Sequence, residues 1–285
     1  MDEPKHKNNG QMNSIEKPVR HIVALSGGKD SSALAVYMLG KIQDVEYVFC
    51  DTGEELDETY EYINKIEDFL SKKIIWLKSD KDFKYYFDLY NGVLPDVNTR
   101  WCTRMLKLKP YEDYIGNDSV ISYVGIRADE PHRTGYISTK SNIKANFPFI
   151  ENNIRHDDVI RILDEAGLGL PKYYEWRSRS GCYFCFFQQK IEWVGLLEKH
   201  PVLFKKAMDY EKTDLDSDET RFTWSQDESL EELSNAKRIS QIKKDYKKRQ
   251  ERLKNKFIEN QKLKDLWNDA TDDEDFEVAC NICHL

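Results

Sequence analysis

Four apolar runs of about five residues, His21–Leu25 (HIVAL), Glu46–Cys50 (EYVFC), Lys73–Leu77 (KIIWL) and Val120–Val124 (VISYV), alternate with segments of helical periodicity. Runs this short fit strands that are buried on both faces and joined by helical crossovers. They predict an α/β fold with a doubly wound parallel sheet. In such sheets ligands bind beyond the carboxyl ends of the strands, so the turns after the first two runs become the candidate site. The first is Ser26-Gly27-Gly28-Lys29-Asp30-Ser31, ahead of an apolar helical segment; the second is Asp51-Thr52-Gly53-Glu54-Glu55, ahead of a periodic segment that reaches Leu70.

The first turn has the chemistry of a phosphate-binding loop. Its two glycines allow close backbone approach, consecutive N–H groups can form an anion nest, the helix N-terminus adds its dipole, and Lys29 adds a full charge. It is neither G-x-x-x-x-G-K-[ST] nor G-x-G-x-x-G, so the P-loop and dinucleotide-binding readings are excluded. A phosphate-bearing ligand is expected there.

The 285 residues carry 43 Lys plus Arg against 51 Asp plus Glu, a net charge of −8, with 40% apolar residues. That is a globular composition, and it excludes indiscriminate nucleic-acid binding by the whole surface. No run approaches the length of a membrane helix and the first twenty residues lack a secretory apolar core, so no membrane association and a cytoplasmic location are expected. The expected organisation is a flexible arm over 1–18, a nucleotide-binding α/β domain over 19–175, and a C-terminal helical, cysteine-bearing region over 176–285.

Four of the six cysteines form two CxxC pairs, Cys182/Cys185 and Cys280/Cys283. Four thiolates from two such pairs suit a tetrahedral Zn2+ or an iron–sulfur cluster, with His284 as a conceivable substitute ligand. Cys50, at a strand end, reads as core packing. The aromatic segment after Cys185 also reads as core, with His200 at a helix end. Residues 237–256 hold ten Lys or Arg against Asp245 and Glu251 alone, while Ile239, Ile242 and Tyr246 keep helical spacing. This basic helix is a candidate for contact with a nucleic-acid backbone, tRNA or DNA, although a solvated face is the commoner reason for such a run.

The segment VALSGGKDSS resembles the PP-loop of the adenine nucleotide α-hydrolase-like superfamily, the ATP pyrophosphatases. FCDTGEELDET at 49–59, RWCTRMLKLKP at 100–110, VGIRADEPHR at 124–133 and GCYFC at 181–185 are similar to the phosphoadenylyl-sulfate (PAPS) reductase family, which includes the sulfur-transfer protein of DNA phosphorothioation. The resemblance implies ATP and Mg2+ as cofactors, with cleavage between the α and β phosphates. Ser26, Gly27, Gly28, Lys29, Asp30 and Ser31 would hold the phosphates, with Asp51, Thr52 and Gly53 near the ribose or a Mg2+-bound water. Arg127 and Arg133 would face the nucleotide or the second substrate, and Arg104 and Lys107 would add charge over the pyrophosphate leaving group. Lys29, Asp30, Cys102 and Arg127 are the implied catalytic residues.

Two departures are informative. Sulfonucleotide-binding reductases usually lack the lysine and second glycine of the loop, whereas SGGKDS is whole here, which favours ATP over PAPS. Where cluster-containing reductases carry a Cys-Cys pair, this chain has Trp101-Cys102-Thr103, with a single thiol. Cys102 could join Cys182 and Cys185, 80 residues further on, with Cys280 or Cys283 as the fourth ligand or as a mobile nucleophile. If instead it is free, the charges of Arg104 and Lys107 are expected to lower its pKa and suit it to carry sulfur. The resulting reading is ATP cleavage coupled to sulfur transfer or adenylation of an acceptor. Its alternatives are a PAPS or adenylyl sulfate reductase and an ATP-sensing subunit of a modification or defence complex with a protein partner.

Overall fold

The structure, a computed structural model, describes residues 18–130, 133, 138–211, 222–225 and 228–258. Residues 1–17, most of the expected arm, and 259–285, with Cys280, Cys283 and His284, lie outside them. In chain order the elements are β1 (Arg20–Leu25), α1 (Lys29–Met38), β2 (Val45–Asp51), α2 (Asp57–Leu70), β3 (Ile74–Lys78), α3 (Phe83–Leu89) and α4 (Trp101–Thr103). A π-helical turn, Arg104–Leu108, leads into α5 (Lys109–Ile115), followed by β4 (Val120–Tyr123), β5 (Ile143–Asn146), α6 (Pro148–Glu151) and α7 (His156–Glu165). A 3-10 turn, Lys172–Glu175, precedes α8 (Lys190–Lys199), α9 (Pro201–Met208), α10 (Leu230–Leu233) and α11 (Ala236–Ile258).

The sheet has the order β3-β2-β1-β4-β5 with every pairing parallel. All four apolar runs are strands. The fifth strand was not foreseen: Ile143–Asn146 is a four-residue edge strand in which only Ile143 is buried. Alternation along the strands distributes the core over both faces. Val23, Leu25, Tyr47 and Phe49 pack with α1, α2 and α7, whereas Ile22, Ala24, Val48 and Cys50 pack with Tyr111 and Ile115 of α5. Cys50 is thus a core residue as expected, and burial pushes its thiol up to about 12.

The order reverses between β1 and β4, since the chain leaves β1 for β2 and β3 and then returns to β4 on the other side. Two loops diverge at such a point and leave a crevice between them. Here they are the loop after β1, with the SGGKDS turn, and the loop after β4, with Gly125 and Arg127.

A second core lies beside the sheet. Phe83, Trp101 and Leu106 share it with Tyr173, Phe184, Trp193, Phe204, Trp224 and Ile242, all at most 6% exposed. Phe83 is its hub: its ring centroid lies 4.3 Å from that of Phe184, 4.9 Å from Trp101 and 5.2 Å from Tyr210. The aromatic segment after Cys185 is core, as its spacing implies. His200 ends α8 and caps α9, its Nε2 2.9 Å from Glu58 Oε1. No helix among the described residues is long and apolar enough to cross a membrane.

Candidate functional site

The SGGKDS turn closes on itself through its hydroxyls. Ser31 Oγ accepts from the Ser26 amide at 3.1 Å and donates to the Gly28 carbonyl, which also accepts from Ser32 Oγ at 2.8 Å. Gly28 is the N-cap of α1, so Lys29 and Asp30 occupy its first turn, where the helix dipole presents its positive end. Gly27 has φ +74°, and a Cβ there would lie 2.6 Å from Thr59 Cγ2 on α2, so only glycine fits.

Residues far along the chain brace this turn. Tyr173 donates to the Gly27 carbonyl at 2.7 Å, Tyr174 OH accepts from the Lys29 amide at 3.1 Å, and Ser180 donates to Ser26 Oγ at 3.2 Å. Lys29 Nζ stands 3.3 Å from Asp30 Oδ2 and 5.5 Å from the Tyr174 ring centroid. Across the crevice, Arg127 reaches Asp30 Oδ1 at 2.9 Å and also pairs with Asp129 and Glu130, while Arg133 pairs with Glu130 at 2.7 Å. Burial opposes the charge on Arg127, but Asp30 and the other carboxylates outweigh it, so its pKa lies above the ordinary arginine value. The structure therefore joins the Ser26–Ser31 turn to Arg127 through Asp30, the joint between lysine and arginine, and ties Arg133 to Arg127 through their shared partner Glu130.

Close packing sets the position of α1 at that joint. A Cβ on Gly125 would lie 2.9 Å from the Asp30 carbonyl oxygen and 3.1 Å from its carbon, and backbone cannot step aside as a side chain can. Gly125→Ala is expected to cost about 1–3 kcal/mol of stability and to displace the first turn of α1, weakening the binding of any ligand that the loop holds. Denaturant unfolding and calorimetry check this; unchanged values in both would refute the fit.

The turn after β2 forms a second wall. Asp51 Oδ1 accepts from the Gly53 amide and from Tyr60 OH, both at 2.8 Å, and Oδ2 lies 3.8 Å from Lys78 Nζ. Thr52 is buried; its hydroxyl donates to Glu55 Oε1 at 3.1 Å and lies 3.2 Å from Cys182 Sγ. This contact joins the wall formed by the turn after β2 to the cysteines.

Cys102, Cys182 and Cys185 line one cavity of about 40 Å3, together with Thr52 and Lys107. None of the three is in a disulfide. The Tyr183 amide donates to the Glu54 carbonyl at 2.9 Å, and buried Arg177 donates to the carbonyls of Gly181 and Cys182, so the CxxC turn is held from both sides. Among the described residues no group of three His, Cys, Asp or Glu side chains is gathered closely enough to hold a metal ion.

Lys107 faces these thiols, its Nζ 3.8 Å from Glu55 Oε1. Burial alone would lower its pKa, but Glu55 and the surrounding cysteines hold it raised. Glu55 Oε2 is buried without a hydrogen-bond partner. Arg104 is exposed on the π-helical turn. The expected lowering of the Cys102 pKa is corrected: burial pushes that thiol up to about 12, the Cys185 thiol adds to the rise, and Lys107 opposes it only in part. Sequence neighbours are close along the chain, but desolvation decides which form of a buried thiol is stable. The Cys182 thiol is likewise raised by burial, then by Glu55.

Tyr173, Tyr174, Ser180, Gly125 and Glu55 border the candidate site, and motif reasoning did not single them out. Glu55 and Gly125 carried a signal, their places within the DTGEE turn and the VGIRADEPHR segment.

Residues 20–186 match a family model described as the phosphoadenosine phosphosulfate reductase domain. An uncharacterized protein of Methanocaldococcus jannaschii is 30% identical over 205 residues, which cover 67% of this chain and 41% of that protein. Adenosine 5'-phosphosulfate reductase of Staphylococcus haemolyticus is 28% identical over 139 residues, 48% of this chain and 53% of that enzyme. Among solved structures, phosphoadenylyl-sulfate (PAPS) reductase from Candida auris in a phosphate complex gives a TM-score of 0.46 at 15% identity, covering 59% of this chain and 84% of that one. The chain spans 41%, 54% and 50% of the length of three curated relatives that it matches, about half.

Proposed function

Because this chain belongs to the phosphoadenosine phosphosulfate reductase domain family, we propose that it is an enzyme of that family that uses ATP, releasing pyrophosphate as it adenylates an acceptor and, in the sulfur-transfer case, AMP when sulfur displaces that adenylate. The observation that carries this reading is the intact SGGKDS turn at the N-terminus of α1, with Lys29 and Asp30 in its first turn and Arg127 closing on Asp30 at 2.9 Å. A triphosphate places its highest charge density on the β and γ groups. The loop amides, the α1 dipole and Lys29 supply a matching positive field without reorganisation.

In this mechanism an acceptor oxygen attacks the α-phosphorus, the bond to the bridging oxygen breaks, and pyrophosphate leaves with the electron pair. Lys29 stabilises the departing charge, and Arg127, anchored by three carboxylates, holds Asp30 in place. Asp30 and Asp51 offer the oxygen donors that Mg2+ takes, and the ion when bound neutralises phosphate charge.

The thiols of Cys102, Cys182 and Cys185 have the donor chemistry of Zn2+ or iron–sulfur ligands, but as placed they are not gathered closely enough to hold a metal ion. Such a site would need further thiols, Cys280 and Cys283 being the candidates, and the mechanism takes no step through it. The sulfur-delivering thiol would be Cys102 or one of that set. A second reading, reduction of a sulfonucleotide, draws support from the convergence of three cysteines on one cavity and from the relative in Staphylococcus haemolyticus. A third, an ATP-sensing subunit, differs in having no rapid turnover.

Product analysis separates them. Pyrophosphate and AMP from ATP support the first, thiol-dependent sulfite from PAPS or adenylyl sulfate supports the second, and tight ATP binding without either product supports the third.

A further inference from the structure

The crevice at Lys29 does not end at the SGGKDS turn. Lys29, Tyr174 and Trp176 line one end of a cavity of about 770 Å3 whose far end is Lys243 and Tyr246 of α11. That size admits a nucleotide-sized ligand. Three carboxylates also line it, the exposed Glu175 and two that are engaged: Glu192 accepts from Ser178 and from the Gln189 amide, and Glu198 pairs with Lys243 at 2.6 Å. Beyond Tyr246, and sharing Gln189 and Ile191 with the cavity, runs a groove of about 340 Å3 along α11.

The groove is basic. Lys190, Arg238, Lys248, Arg249 and Arg252 line it against Asp245 alone, in a chain whose net charge is −8. Glu228 outside the lining holds Arg238 at 2.6 Å and Lys190 at 3.0 Å, which fixes two of the cations and still leaves the groove positive. Tyr246, 39% exposed, stands where groove and cavity meet. The helix that carries this face is anchored: Ile242 is 6% exposed and Ile239 packs against the second core beside it. A row of cations leading to an aromatic ring suits a single strand of phosphodiester, because cations follow the backbone and a ring stacks on any base. An isolated small anion would need no groove, and a duplex keeps its bases paired and out of the cavity.

We infer that the α11 groove binds the backbone of a single-stranded nucleic acid and feeds one nucleotide past Tyr246 into the cavity that ends at Lys29. Binding is independent of how ATP is used; the assignment of that nucleotide as the acceptor rests on the ATP-using reading.

The test uses the full chain and fluorescently labelled 12-mers of RNA, DNA and duplex DNA, read by anisotropy between 50 and 200 mM salt, roughly the range in which phosphate contacts dominate. Single strands should bind more tightly than the duplex, with affinity falling steeply as salt rises; the RNA and DNA arms identify which strand is preferred. The triple variant Lys248→Gln, Arg249→Gln, Arg252→Gln should flatten the logarithmic salt slope by about 2, since each phosphate contact on a single strand contributes about 0.7. Tyr246→Ala should weaken binding about tenfold or more with the slope unchanged, as expected for a lost stacking contact. Equal or tighter duplex binding, displacement of the strand by an acidic polypeptide alone, or a triple variant with parental affinity and slope would overturn the inference. Strand binding that meets these criteria in a chain with no ATP turnover would support the groove and remove only the acceptor role.

Discussion

Lys29→Ala is expected to lower pyrophosphate release from ATP by about 10²–10³-fold, the loss typical of removing one preorganised group that stabilises developing negative charge. Lys29 is the one full positive charge in the SGGKDS turn, and its ammonium sits on the Asp30 carboxylate at 3.3 Å in the first turn of α1. The loop's hydroxyl bonds and the Tyr173 bond to Gly27 do not involve its side chain, so the fold should survive. The loss should fall chiefly on kcat, because the leaving group gains charge only as the bond breaks. Lys29→Arg should recover part of it, limited by the shape of a planar fork in a site formed around an ammonium. Release within threefold of the parent in Lys29→Ala would show that this turn does not carry the chemistry.

Phe83→Ala should cost about 3–5 kcal/mol of stability, the usual range for an aromatic ring deleted from a close-packed core. Phe83 is fully buried at the centre of five rings, Phe87, Trp101, Phe184, Tyr210 and Trp224. Two of these flank the cysteines: Trp101 precedes Cys102, and Phe184 lies within the CxxC turn. Denaturant unfolding gives the energy, and the rate of modification of Cys102, Cys182 and Cys185 by a thiol reagent should rise as their packing loosens. Parental stability with unchanged thiol reactivity would contradict the role of this ring as the hub.

Much of the fold was legible because strand burial leaves a local trace. Three of the four apolar runs, in the central strands β1, β2 and β4, are buried on both faces, and the pattern itself says so; Lys73–Leu77 forms the edge strand β3, in which Ile74 is buried and Trp76 is exposed. Ile143–Asn146 escaped because an edge strand needs little apolar surface, and its pairing with β4 is a property of the partner. The loop chemistry was legible for a similar reason: two glycines, a lysine and flanking hydroxyls act within six consecutive positions.

The cysteines mark where local reading stops. Their CxxC spacing could be read, and so could the suspicion that Cys102 joins them, because a resemblance supplied it. Their ionisation could not. The chain neighbours Arg104 and Lys107 suggested a lowered Cys102 thiol, yet Arg104 is exposed, and burial drives the thiol the other way.

The sequence by itself determined the strand order's raw material, the Gly-Gly-Lys chemistry of the first turn and the position of that turn at a strand's carboxyl end, because each depends on residues within a few positions of one another. Only the tertiary structure decided which distant groups complete the site. Tyr173, Tyr174 and Ser180 brace a loop about 150 residues earlier, Thr52 touches Cys182, and Tyr246 closes the cavity that begins at Lys29. Contacts of that range leave no periodicity in the chain. They arise when two cores, one under the sheet and one around Phe83, bury their apolar surfaces and carry the polar groups on them into register.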